Sequence, residues 1–158
     1  MIDSLTRIIQ ASLLQLRWLS VVAMLLAALV SPYILGPSAL TGRLLMFTGA
    51  IAAINLVFML AARYLGAAQA VPWFLSPLMQ LTFDLLAWGA YLFLSGGATN
   101  PMISILLPLV AIGALVLGQR QAWFFALAAI LIYSFLWNFY VPLYIADYQM
   151  AGALHLVG

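Results

Sequence analysis

The chain contains no cysteine, no lysine and no glutamate. Without cysteine, these residues hold no disulfide framework, no thiolate zinc site and no thiol redox chemistry, so any response to redox state must run through a bound molecule. Charge is nearly as scarce: charged residues are 5% of 158 positions, against roughly 25% in an average soluble domain. Five arginines, three aspartates and one histidine leave a net charge of +2, too little and too scattered for a nucleic-acid footprint. Hydrocarbon fills the space instead, at 68% hydrophobic residues and a mean hydropathy of +1.20. The expected class is an all-α integral membrane protein surrounded by lipid bilayer. The first sixteen residues lack the short apolar core and small-residue cleavage site of a signal peptide, so the N-terminus is expected to be retained.

A spanning helix needs about 20 apolar residues, and the breaks recur at nearly that interval. The spacing predicts a polytopic helical bundle of five transmembrane helices, at about 18–35, 44–62, 77–94, 101–117 and 122–143. Ser76 before Pro77, and Asn100 before Pro101, each read as an N-cap and first helical residue, because proline gives up an amide that the first turn cannot use. Ahead of the first span, Ile2, Leu5, Ile9, Leu13 and Leu16 recur at helical spacing, which predicts an interfacial amphipathic helix over 1–17. Arg7, Arg17, Arg63 and Arg120 fall at one end of the spans and Arg43 at the other. The positive-inside rule then puts the N-terminus in the cytoplasm and the turn around Gly96 outside. The closing "AGALHLVG" turns apolar again. The expectation is a single transmembrane domain over 1–158, a fragment that ends near the start of a sixth helix.

Three polar residues interrupt the apolar spans. Asp84 lies about seven residues, or ~10 Å, into the third span. A carboxylate at that depth must be protonated, paired or facing water, and is a functional candidate by default. Asn55 and Ser134 sit near the middle of the second and fifth spans, so the three are expected at one depth. They would line a proton or solute pathway, or a neutral Asp84 would hydrogen-bond helices together. Pro108 leaves the carbonyl of Ser104 without its helical donor, predicting a kink and a candidate hinge. Among the aromatics, Trp88, Tyr91 and Phe93 on the third helix, with Trp137 and Tyr140 on the fifth, are candidate walls of an apolar slot beneath the outer turn. His155 stands without acidic or histidine neighbours and reads as solvated rather than metal-binding.

The turn itself, "SGGATNPM", is the most polar interruption. Gly96 and Gly97 leave backbone amides uncovered by side chains, Asn100 both donates and accepts hydrogen bonds, and Pro101 fixes where the next helix begins with its positive dipole end. A molecule with carbonyl oxygens and an apolar tail suits this place, and a quinone has that description. The same residues also make a tight turn with no ligand.

The stretch "LTFDLLAWGAYLFLSGGATNPMISILLPLVAIGAL" resembles the membrane domain of the RegB/PrrB/ActS group of proteobacterial redox-responsive sensor histidine kinases. That family carries a Gly-Gly-x-x-Asn-Pro-Phe heptapeptide, implicated in ubiquinone binding, in the outer loop between the third and fourth of six membrane helices. Gly96, Gly97, Asn100 and Pro101 match it, while Met102 replaces the phenylalanine and keeps a polarizable contact without the flat face. Arg17 and Trp18 opening the first helix, and Asp84 in the third, are similar to the family too. The resemblance implies the signal-input domain of a two-component sensor kinase in the bacterial inner membrane. Ubiquinone would be the sensed ligand, held at Gly96, Gly97, Asn100, Pro101 and Met102 on the periplasmic side. It also implies a homodimer, and a response regulator reached through a kinase part. No phosphoacceptor-histidine box or ATP-binding motif occurs within the chain, so these residues alone are not expected to phosphorylate anything. Two other classes stay open: a small transporter or channel built on Asp84, and an assembly subunit of a respiratory membrane complex.

Overall fold

A computed structural model describes residues 2–35, 39–65 and 73–140. Their helices are α1 (Ile2–Leu35), α2 (Ala39–Leu65), α3 (Pro77–Leu94), α4 (Leu106–Val116) and α5 (Gln119–Asn138), and no strand occurs among the described residues. Four of the five are long and apolar enough to cross a membrane. The fourth span is composite, a tight 3-10 segment Pro101–Ile105 running into α4. At ~2.0 Å per residue in the 3-10 part and ~1.5 Å in the α part, it reaches about 26 Å, close to the ~27 Å of α3. Both approach the ~30 Å hydrocarbon thickness.

The elements differ from the sequence expectations in three places. The interfacial helix expected over 1–17 and the span over 18–35 are one continuous helix, α1. Pro32 lies inside that helix. Proline removes the donor to the Ala28 carbonyl, and the Ser31 hydroxyl replaces it, donating to Ala28 O at 2.8 Å. Helix α2 extends beyond the expected 44–62, and α5 runs over Gln119–Asn138 rather than 122–143. Pro108 is the third residue of α4, and the change of winding lies just before it. The expected caps are present: Ser76 Oγ accepts from Met79 N–H, and Asn100 Oδ1 from Met102 N–H. Residues 36–38 and 66–72 lie outside the description. So do 141–158, with His155 and the expected onset of a sixth helix.

Helix α3 is the axis of the bundle. It touches α1, α2, α4 and α5, and half of it is buried against 17–28% of the other long helices. Leu81, Leu85, Trp88, Tyr91 and Leu92 repeat at helical spacing along its length and join the apolar core. Tyr91 is pinned to α1 by a hydrogen bond from its hydroxyl to Met24 O, 2.9 Å. Between α4 and α5, Gly113 admits the Phe125 ring so closely that an added Cβ would lie 2.6 Å from Cδ1. Such close approach over small residues is the usual glue of membrane helices, where no hydrophobic force drives helix to helix. The outer faces are hydrocarbon: Leu107, Leu115, Phe124 and Trp137 are all exposed. A surface of that kind belongs in lipid, so the chain is a multi-pass membrane protein.

Candidate functional site

The end of α3 is built by a sequence of local bonds. Gly96, at φ 109°, and Gly97, at φ 58°, both take the left-handed backbone that reverses the chain. The Ser95 hydroxyl donates to Tyr91 O at 2.7 Å and accepts from Asn100 Nδ2 at 2.7 Å. Asn100 Nδ2 also donates to Ser95 O at 2.8 Å, while its Oδ1 caps the next helix. Asn100 is therefore buried with its donor and acceptor engaged inside the turn. This corrects the expectation of an amide free for a ligand, and it brings in Ser95, a partner that the sequence does not single out.

The backbone of the turn retains bonding capacity. Thr99 N–H donates to Gly96 O and Asn100 N–H to Gly97 O. Among the described residues, no acceptor meets the amides of Gly96, Gly97 and Ala98. Gly97 packs against the end of α5, where an added Cβ would lie 2.7 Å from Leu136 O and closer still to Tyr140 Cβ. Below that contact runs an apolar slot of about 350 Å³ between α3 and α5, walled by Gly89, Ala90, Phe93, Ile132, Phe135 and Leu136. Phe93 and Phe135 stack at 6.1 Å, and Phe135 and Phe139 at 5.1 Å. Of the expected walls, Phe93 lies on this slot and Tyr140 at its upper end. Trp88 and Tyr91 are instead in the core, and Trp137 is exposed. Met102, half-buried, packs on the core cluster.

A second polar centre lies seven residues into α3. Arg17 Nε donates to Asp84 Oδ1 at 2.6 Å, and Nη2 to Gln80 O at 3.0 Å. The Phe58 and Phe83 rings lie 4.8 and 5.1 Å from the guanidinium carbon, close enough for cation–π attraction. Arg17 is 1% exposed. It is thus held inside the bundle, and Asp84 is ion-paired rather than lone. Asp84, Asn55 and Ser134 are not brought together, since Ser134 is exposed on the outer side of α5.

Asn55 is fully buried, and neither its Nδ2 nor its Oδ1 meets a partner among the described residues. A buried amide left unbonded is costly, and leucine fills a similar volume. Asn55→Leu is expected to stabilise the fold by about 1–3 kcal/mol, read from thermal unfolding in detergent micelles. A loss of stability would mean that water or another group bonds the amide.

No family model and no solved structure matches the chain. It is similar to the sensor histidine kinase RegB of Cereibacter sphaeroides, with 33% identity over 139 residues. That alignment takes in 86% of this chain and 29% of the relative, so the chain spans less than a third of the protein it matches. Taken with the apolar helices around α3, the similarity supports a membrane region like that of RegB.

Proposed function

We propose that the chain is the signal-input region of a two-component sensor histidine kinase, and that it binds ubiquinone at the Gly96–Met102 turn on the periplasmic face of the inner membrane. The observation that carries the reading is the set of amides at Gly96, Gly97 and Ala98, unpartnered among the described residues, beside an apolar, aromatic-walled slot. A quinone carbonyl would accept from those amides while the ring and tail lie along Phe93 and Phe135. Asn100 and Ser95 then act as positioning residues that hold the amides open, and Pro101 and Met102 begin the helix beside the head. The similarity to RegB supports the kinase part, which would reach a response regulator, with the domain working as a homodimer. Signalling requires the ligand to favour one arrangement of α3 against α4 over another.

Titration of the chain in nanodiscs with a short-tailed ubiquinone, followed by tryptophan quenching, tests this. Saturable quenching is expected, weakened about tenfold, or ~1.4 kcal/mol, by Ala90→Phe, which fills the slot. Equal and non-saturating quenching in both proteins would mean partition into lipid and would sink the reading. Pairing of Asp84 with Arg17 removes the free carboxylate on which a transport pathway would be built.

A further inference from the structure

Helices α1 and α2 lie against each other in a definite register. The Ser31 and Thr41 hydroxyls meet at 3.1 Å, and from that pair the buried positions run in step: Ala28 with Leu44, Met24 with Thr48, Val21 with Ile51. The next buried pair in the series is Arg17 with Asn55, each about four helical turns, or ~21 Å, from the starting contact. Asn55 therefore stands at the depth of Arg17 on the α2 side, as Asp84 does on the α3 side. Phe58, one turn further along α2, lies 4.8 Å from the guanidinium carbon, so this face of α2 is within reach of Arg17.

The bonding needs of the two side chains are complementary. Arg17 gives Nε to Asp84 and Nη2 to Gln80 O, while its Nη1 is buried without an acceptor among the described residues. Asn55 is 0% exposed, and its Oδ1 lacks a donor among the same residues. These atoms are closed off from water as they stand, so a change of side-chain position is what pairs them. Buried groups left unbonded raise the free energy of the arrangement that strands them.

We infer that Asn55 is a second seat for Arg17. In the arrangement described above, the guanidinium sits on Asp84 and joins α1 to α3. When the negative charge of Asp84 is removed, the guanidinium turns to Asn55 Oδ1 and joins α1 to α2 instead. Arginine suits such an exchange, because it stays charged and presents its donors as a rigid fork, leaving one acceptor for another without shedding a proton. The amide bonds the guanidinium without neutralising it, so Asp84 is the stronger seat and most of the loss on removing it remains. The pair of seats works as a clutch: Asp84 couples the α1–α2 hairpin to the axis of the bundle, and Asn55 uncouples it. The device does not depend on what binds at the Gly96–Met102 turn.

The test moves the carboxylate from one seat to the other and reads thermal unfolding of the chain in detergent micelles. Asp84→Leu leaves Arg17 to the amide, so adding Asn55→Leu should lower the melting temperature, although on the unaltered chain the same substitution is expected to raise it. Asp84→Leu/Asn55→Asp should melt well above Asp84→Leu, because Arg17 regains a carboxylate across the α1–α2 interface. If Asp84→Leu fails to fold by itself, folding of that double variant is the same gain. Adding Arg17→Leu should abolish the gain, since the relocated carboxylate is then stranded. A double variant that melts below Asp84→Leu, or fails to fold, would carry two unpaired buried charges and would overturn the inference. An Asn55→Leu effect of the same sign on both backgrounds, or a gain that survives Arg17→Leu, overturns it as well.

Discussion

Arg17→Leu is expected to destabilise the bundle by about 3–5 kcal/mol, the usual cost of breaking a buried ion pair by removing one partner. The substitution strands the Asp84 carboxylate, and with it goes the bond to Gln80 O that ties α1 to the first turn of α3. The packing of the Phe58 and Phe83 rings on the guanidinium is lost as well. Asp84→Leu should cost a similar amount by stranding the arginine. The double variant Arg17→Leu/Asp84→Leu should recover most of the loss, because two apolar groups need no partner and packed hydrocarbon replaces buried charge at little net cost. Thermal unfolding of all three variants in one detergent completes the cycle. Additive losses in the double variant would mean that the two side chains act independently, contrary to their 2.6 Å contact.

Gly97→Ala should be nearly as damaging, for a different reason. Its φ of 58° costs an L-residue about 1–2 kcal/mol. Its new methyl would also press on a backbone carbonyl, Leu136 O, and on Tyr140, adding about 1–3 kcal/mol of overpacking. A backbone carbonyl cannot swing aside as a side chain can, so Gly97→Ala/Tyr140→Ala should recover only part of the loss. Gly42→Ala is the control. That glycine has nothing within 4 Å of an added Cβ and lies within α2, so alanine there should stabilise by about 0.5–1 kcal/mol through helix propensity. Equal melting of Gly97→Ala and the unaltered chain would show that the turn and the end of α5 are not in contact.

Helix α3 is legible in the sequence from end to end, because Ser76 and Pro77 open it and the glycine pair closes it, each by a local rule. Helix α5 is legible at neither end. Gly118 and Gln119 begin it without a strong cap, and the aromatic run through Trp137, Phe139 and Tyr140 carries no signal that marks where the helix stops. The sites divide the same way. The turn at Gly96 announces itself through glycine, asparagine and proline, but the inward direction of Asn100 does not. A residue name shows bonding capacity and leaves unsaid that Ser95 has already used it. The pairing of Arg17 with Asp84 spans 67 residues and depends on α1 lying against α3, which no local pattern encodes. The slot between α3 and α5 is illegible for the same reason, since it is a gap between helices rather than a property of any one.

The winding of the fourth span couples its length to its rotation. Its first five residues are stretched relative to an α-helix by about 0.5 Å each, so rewinding them would draw the span in by about 2.5 Å. The same change from three to 3.6 residues per turn would rotate α4 about its axis by roughly 100°. Pro101 and Pro108 bracket that segment and supply no amide, so no backbone donor of theirs has to be broken or remade. The fourth span is in this sense a screw thread that starts at the glycine turn.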